Sequence, residues 1–455
     1  MKINTCIKKF NEGIGKVVPP KKTVKIVLGK FKAMDKPILK RYCYGIKSSL
    51  PKIPLYSIFG TEHYKEITGR DFVSGKGHIK EQALASGLME LVERYSCFKH
   101  LKTKWFLATF NDFKNNAFSL EDFYSNCIDG DRNKFMLRLG KKINAWPIRW
   151  YKAYTMDGDK INLPMRLIYN LIEGSNGMAS GNSLEEALLH GICEVVERHC
   201  ETLIETQKLK TPTIELSTIN SRIAQSLIKK LKIHNRKIII KDCSLGFGIP
   251  VMGCIRELYK NKFLICFGAA TTKEEAVIRA LTENAQCENN VSVYKNYGAI
   301  KHFLANKMNI SFKNIPNEIA NKNILIELKN INKILNRNKM RVFFIDATDK
   351  VLDIHSVIVY IRGAKYSYKM IPGANFPNAL DALCKEFYVT KNYSALYCHL
   401  KKMCYEDKDY SHAIRYLLKL LTKTEKIKNK ENKIISMLKK AMLKLSKETL
   451  VKITP

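Results

Sequence analysis

The chain has 455 residues, 45% of them hydrophobic and 26% charged, which is enough for a large core plus an appendage and excludes a peptide-sized module. No apolar run reaches the roughly 18 residues of a membrane span, and the opening MKINTCIKKFNEGIGK lacks the apolar core of a secretory signal, so a cytoplasmic protein without a membrane partner is expected. The net charge of +36 is diffuse, with lysine recurring throughout beside Ile and Asn; it reads as compositional bias and sets nucleic-acid binding aside as the principal role.

Thirteen cysteines lie singly, with no CxxC pair and no His/Cys zinc spacing, so neither a disulfide framework nor a structural zinc is favoured. In chain order, residues 1–60 form an N-terminal segment in which Pro19-Pro20 followed by Lys21-Lys22-Thr23 punctuates a turn into a helix. Gly45 to Gly77 reads as strand and loop feeding a first acidic helix, KEQALASGLMELVER, over residues 80–94. WPIRWYKAYT is expected as a strand, and LPMRLIY as a second one leading into a Gly-rich turn at Ser175.

That turn opens a second acidic helix in SNGMASGNSLEEALLHGICEVVER, Ser175 to Arg198, with Asn182 or Ser183 as N-cap and Glu185 and Glu186 on the positive end of the dipole. A helical stretch continues to about Lys232, then KIIIKDC, PVMGCIRE and KFLICFGAA read as adjacent strands. A third acidic helix runs from Lys273 to Cys287, and RVFFIDAT and SVIVYIRG supply the final strands. Residues 61–373 thus make an α/β core of pseudo-repeated strand and helix units, and residues 374–455 a helical appendage with a weak tetratricopeptide-like echo.

The three helices share one frame. Aligned on Ala83, Ala187 and Ala276, the positions seven residues on are Glu90, Glu194 and Glu283, and those ten on are Glu93, Glu197 and Gln286. At about 100° per residue, Glu186, His190, Glu194 and Glu197 fall within roughly 80° of one another, beside an apolar face that includes Ala187, Leu188, Ile192 and Val195. Packing such helices by their apolar faces gathers at least five carboxylates, which repel by about 1 kcal/mol per close pair in water and more when buried. Divalent cations that prefer hard oxygen ligands are the natural compensation, and Mg2+ completes its shell with phosphates and water. Arg198, Arg279 and Lys76, in the Gly75-Lys76-Gly77 turn, would meet phosphoryl oxygens. Cys193, at the rim of the apolar face, reads as packing rather than as a sulfur carrier.

These residues resemble the YcaO family of ATP-dependent enzymes that activate peptide backbone amides. Ser86, Glu90, Glu93 and Arg94 match its SxxxExxER; Ser175 to Arg198 match SNGxxxGNxxxEA continuing to ExxER; Arg279 and Glu283 match RxxxE. The resemblance implies a YcaO-like fold around a helix-borne site for ATP and Mg2+. It implies Glu90, Glu93, Glu194, Glu197 and Glu283 as metal ligands, with Glu90, Glu194, Glu197, Arg198 and Glu283 as the catalytic set. Lys16, Thr23, Lys76, Ser86, Asn182, Glu186, Arg198 and Arg279 would hold the nucleotide, Lys16 and Thr23 by the family's spacing of a basic residue seven positions before a Ser or Thr.

The resemblance also implies a peptide or protein substrate, a homodimer, and one of two products. Azoline-forming members often end in a proline-rich tail, whereas this chain ends LSKETLVKITP, which favours thioamide formation with external sulfide. A glycine of methyl-coenzyme M reductase is then the expected target, and an accessory sulfur-delivery protein of the TfuA type the expected partner. The rival outside this class is a basic nucleotide- or RNA-binding protein without catalysis.

Overall fold

The computed structural model describes residues 1–12, 15–45, 53–113, 118, 147–165, 168, 175–232, 237–288, 295–317 and 319–365. The helical appendage expected over 374–455 lies outside these residues. By contact clustering the chain divides into two units, the first comprising residues 1–105, 152–162 and 172–368, the second residues 106–151, 163–171 and 369–455.

The elements run α1 Pro20–Lys32, β1 Leu39–Tyr44, β2 Leu55–Gly60, α2 Glu62–Thr68, β3 Phe72–Lys76 and α3 Lys80–Thr103. There follow β4 Phe106–Ala108, β5 Ile148–Thr155, β6 Lys160–Leu163, β7 Met178–Gly181, α4 Leu184–Gln207, β8 Thr211–Ile214, α5 Arg222–Leu231 and β9 Ile238–Asp242. Then come β10 Val251–Tyr259, β11 Lys262–Ala269, α6 Lys273–Cys287, β12 Lys295–Asn296, α7 Tyr297–Leu304, β13 Asn306–Ile310, α8 Ile324–Arg337, β14 Arg341–Asp346 and β15 His355–Arg362.

In the first unit, β1, β2 and β3 form an antiparallel sheet, and a six-stranded sheet runs β12-β11-β10-β9-β8-β13, antiparallel except for the β8–β13 pair. A third sheet places β15 between β14 and β7, and Phe344 and Phe343 of β14 pair with Tyr154 and Thr155 at the end of β5. The three acidic helices α3, α4 and α6 pack on β3, on β7 and β15, and on β10 and β11 respectively. Each lies so close to its strand that only glycine fits there. A Cβ on Gly75 would sit 2.1 Å from Ala83 O, on Gly181 2.4 Å from Ala187 N, and on Gly268 2.4 Å from Ala280 N. The pseudo-repeat is therefore a packing device: a glycine on the strand lets a small-residue helix face settle on it.

Two clusters bury these helices. Val27, Phe31, Ile58, Leu88, Leu91 and Tyr95 enclose α3, while Leu227, Ile240, Met252, Ala276 and Leu281 enclose α6; each large aliphatic side chain removed from water contributes about 2 kcal/mol. Cys193 and Cys200 are buried, and burial pushes the Cys193 thiol up to about 12, in agreement with a packing role. Among the described residues no helix is long and apolar enough to cross a membrane.

In the second unit β4 pairs with Ile148–Trp150, and the Trp150 indole donates to Ala108 O at 2.8 Å beneath the Phe110 and Phe113 rings. The strand expected at LPMRLIY is corrected here. Met165 and Ile168 are helical, and Ile168 N donates to Pro164 O at 3.0 Å; Pro164 presets a helical φ at the one turn where its missing N–H costs nothing. The continuous helical stretch expected to Lys232 is also interrupted. Lys208 caps α4 in the left-handed region at φ 52°, and Thr211, Thr213 and Ile214 then extend as β8 before α5 begins at Arg222. The β-branched residues win there because β8 fills the slot between β9 and β13.

Candidate active site

Helix α4 begins at Ser183, whose Oγ accepts from Glu186 N at 3.1 Å. Because Ser183 serves as the cap, Asn182 is free for other partners: its Nδ2 donates to Glu186 Oε1 at 3.0 Å and its Oδ1 accepts from Thr23 Oγ1 at 3.0 Å. The Glu186 carboxylate also accepts from Val17 N at 2.9 Å and pairs with Lys16 Nζ at 3.5 Å. Lys16, Thr23, Asn182 and Glu186 are thus one network, although 159 residues separate Thr23 from Asn182.

What brings the N-terminal segment there is a series of tethers across helix starts. Asn4 N donates to Glu185 Oε1 at 2.8 Å, Gly15 N donates to Glu275 Oε2 at 3.3 Å, and Cys6 N donates to Asn323 Oδ1 at 3.1 Å. Buried Lys8 Nζ pairs with Glu327 at 2.6 Å, and Glu327 also accepts from Thr271 Oγ1 at 2.8 Å. A buried pair with additional hydrogen bonds fixes geometry even where its net contribution to stability is small.

The acidic edges of α3 and α4 hold two arginines. Arg94 Nη2 lies 3.1 Å from Glu90 Oε1 and Nη1 2.7 Å from Glu93 Oε1; Arg198 Nη1 lies 2.7 Å from Glu201 Oε2 and Nη2 3.3 Å from Glu197 Oε1. Glu197 Oε2 accepts from Ala269 N at 3.0 Å, which anchors the carboxylate to the end of β11. Burial raises the Glu93 carboxyl well above its ordinary range, Arg94 opposes that rise, and Glu194 and Glu90 add to it. Glu194 is raised first by burial and then by Glu197, against the pull of Arg198 and Arg94. Among the described residues no hydrogen bond or ion pair is made by the Glu194 carboxylate.

Lys76 forms an ion pair with Glu283, and burial lowers the Lys76 ammonium despite the nearby Glu90. His190 is held neutral, first by burial and then by the charges of Arg279, Lys16, Lys76 and Arg94. Arg279, Lys16, Lys76 and Arg94 thus all act on His190 in the same direction. Gln286, standing where the other two helices carry glutamate, donates to Ser74 O at 3.0 Å and ties α6 to β3. Ser86 lies half-buried on α3, one turn before Glu90. At the end of α6 the Cys287 thiol donates to Glu283 Oε1 at 3.7 Å.

Every residue expected at the site thus lies in the first unit. Glu186 spends its oxygens on the protein, so it orients Lys16 and Asn182. Glu283 is engaged by Lys76, apart from the carboxylates gathered around the arginines. Among the described residues no three His, Cys, Asp or Glu side chains converge tightly enough to enclose a metal. The buried Nε of Arg94 is without a hydrogen-bond partner, and five glutamates against two arginines leave an excess of negative charge; both fit a cation opposite a polyphosphate. Sequence reasoning placed His190 on the polar edge without a role and overlooked Glu201 as the second partner of Arg198. The i,i+3 spacing to Arg198 was the available signal for Glu201.

A profile described as YcaO cyclodehydratase, ATP- and Mg2+-binding, matches residues 74–365. An uncharacterized protein of Methanothermobacter thermautotrophicus is 28% identical over 229 residues, 47% of this chain and 56% of that protein. A Rhizobium leguminosarum bv. trifolii protein, described as lying in the tfuA 3' region, is 28% identical over 167 residues, 32% of this chain and 40% of that protein. The chain spans about half the length of the curated relatives it matches. The fold is similar to that of a heterocyclase in complex with substrate and cofactor (TM-score 0.67, 20% identity, 80% of this chain and 54% of that one). It is also similar to YcaO from Methanopyrus kandleri bound with AMPPCP and Mg2+ (TM-score 0.60, 18% identity, 81% and 97%).

Proposed function

The chain belongs to the YcaO family, whose cofactors are ATP and Mg2+, and from that premise we propose that it activates a backbone amide of a peptide or protein substrate in an ATP-dependent reaction. When bound, ATP supplies the phosphoryl group that makes the amide oxygen a leaving group, and Mg2+ offsets phosphate charge. Glu194, with Glu90, Glu93 and Glu197 beside it, would hold the metal. Arg198, Arg279 and Lys76 would meet phosphate oxygens, and Glu283 keeps Lys76 in place. Lys16, Thr23 and Asn182 would orient the nucleotide from the N-terminal segment, fixed there by Glu186. His190, neutral among cations, would hydrogen-bond without adding repulsive charge. The observation that carries this reading is the network of Lys16, Thr23 and Asn182 with Glu186 at the start of the helix whose next turns carry Glu194, Glu197 and Arg198.

Of the two products open to such an enzyme, we place thioamide formation with external sulfide first, at a glycine of methyl-coenzyme M reductase. The relative from a tfuA 3' region supports a sulfur-delivery partner of the TfuA type, and relatives from Methanothermobacter and Methanopyrus support the target. Likeness to a heterocyclase favours the second reading, azoline formation. Purified protein with target peptide, ATP and sulfide separates them by mass. Thioamide formation adds about 16 Da and requires sulfide; azoline formation removes about 18 Da and does not. Loss of water from a Cys-, Ser- or Thr-containing peptide, with no sulfur gain under any sulfide condition, would overturn the thioamide reading.

A further inference from the structure

We propose that Cys266 and Cys287 form a dithiol site that accepts sulfane sulfur from a persulfide donor and releases it as sulfide beside the nucleotide-binding cations. The proposal rests on the thioamide reading above and supplies the entry point for its sulfur. Nothing in the spacing of the cysteines suggests a pair, since 266 and 287 lie in different elements, on β11 and at the end of α6. The close seat of α6 on β11, which Gly268 permits, brings them together. Cys287 packs against the cluster of Leu258, Leu264 and Cys266, so the two thiols belong to one group of touching side chains.

The two sulfurs are unlike. Cys266 is 6% exposed, within an apolar shell, whereas Cys287 is half-buried and reaches Glu283 Oε1, with Lys76 and Arg198 also acting on it. Cys193, Cys200, Cys243 and Cys254 are buried, so among the described cysteines near the site Cys287 is the one a donor can reach and Cys266 the one that can resolve it. In the first step Cys287 Sγ attacks the outer sulfur of a persulfide R–S–SH. The bond between R–S and the outer sulfur breaks, R–S⁻ takes the Cys287 proton and leaves as R–SH, and Cys287 carries Sγ–SH. In the second step Cys266 Sγ attacks Cys287 Sγ, forming the Sγ–Sγ bond and expelling HS⁻, which leaves as hydrogen sulfide with the Cys266 proton. The two thiols are oxidised, the sulfane sulfur is reduced to sulfide, and an external dithiol restores the pair. Lys76 and Arg198 attract the departing anion toward the side of the site where phosphate would lie.

The test is a single turnover of the whole chain with glutathione persulfide, without reductant, ATP or peptide. Wild type should release one sulfide per chain and lose about 2 Da, with Cys266 and Cys287 peptides joined. Cys266→Ser should retain about 32 Da of added sulfur on the Cys287 peptide and release none, and Cys287→Ala should do neither. Sulfide released by Cys287→Ala at the wild-type rate, or wild type in which the two peptides remain unlinked after sulfide release, overturns the proposal. Because this readout needs neither ATP nor peptide, its failure is distinct from failure of thioamide formation with supplied sulfide.

Discussion

Glu194 and Glu197 sit one helical turn apart on α4, yet their surroundings predict opposite responses to the same substitution. In Glu197→Gln the charge-assisted hydrogen bond from Ala269 N and the pair with Arg198 are both weakened. At about 1.5–3 kcal/mol for a hydrogen bond to a charged group, and roughly 2–4 °C per kcal/mol for a domain of this size, the unfolding midpoint in chelator should fall by about 3–12 °C. Glu194→Gln removes a desolvated charge that repels Glu197 and has no bonded partner among the described residues. Its metal-free midpoint should stay within about 2 °C of wild type or rise. With Mg2+ and ATP at a hundred times Kd, wild type gains about 2.7 kcal/mol, a shift of about 5–10 °C. Both variants should lose that shift together with ATP turnover. Thermal unfolding in chelator, then with Mg2+ and ATP, reads all of this from one set of samples. A Glu194→Gln protein that keeps the nucleotide shift and turnover would refute the metal assignment, and one destabilised as much as Glu197→Gln would refute the claim that Glu194 is a free ligand.

The N-terminal network makes a second prediction: Lys16→Ala and Thr23→Val should each raise the KM for ATP about tenfold, equivalent to about 1.4 kcal/mol, with kcat changed little. Unchanged ATP kinetics in both would place that network outside nucleotide binding. His199 gives a pH signature. Burial, with Lys365 adding to it, lowers its pKa to about 4, and its Nδ1 accepts from Lys365 N at 2.9 Å. Between about 4 and 6.5 the unfolded chain binds the proton that the folded one refuses, so this contribution rises with pH, is complete above 6.5 and amounts to about 3 kcal/mol. Urea unfolding of wild type against His199→Asn, whose Oδ1 can replace the acceptor, should show the slope lost in the variant; parallel curves from pH 5 to 7 would contradict it. Finally, a diffuse +36 charge should give only weak, salt-labile binding to generic duplex or single-stranded nucleic acid. Sequence-selective binding at physiological salt, measured by fluorescence anisotropy, would favour the non-enzymatic rival.

The acidic helices were legible because their signal is local and repeated. Spacing from Ala83, Ala187 and Ala276 gave the edges, and Lys273–Cys287 appears with the expected bounds. The strands at 238–242, 251–259 and 262–269 were legible from continuous β-branched and aromatic runs. Pro164 misled because a proline at the head of an apolar run fits both a strand edge and a first helical turn, and tertiary context decides. β8 was hidden for a similar reason: four residues of strand between two helices carry too little periodicity to register. Helices α7 and α8 were not anticipated either, although α8 buries Ile324, Leu328, Ile331 and Leu335 at clear helical spacing.

Within the site, the division of labour among the carboxylates could not be read from the chain. Five glutamates on three helices look equivalent at the level of spacing, and partners from distant segments make them unequal. Arg94 claims Glu90 and Glu93, Lys76 claims Glu283, and Arg198 and Ala269 N claim Glu197. What remains without a hydrogen bond or ion pair among the described residues is Glu194, whose carboxyl is raised by burial against the pull of Arg198 and Arg94. A carboxylate that folding leaves desolvated and unpaired is costly unless something arrives to pair it. The same argument explains the N-terminal segment. Its tethers to Glu185, Glu275 and Glu327 satisfy acids at three helix starts and carry Lys16 to Glu186, one turn before His190. Lysine and glutamate are therefore sorted by contact, which leaves Glu194 without a partner among the described residues while Lys16 is held at the start of the same helix.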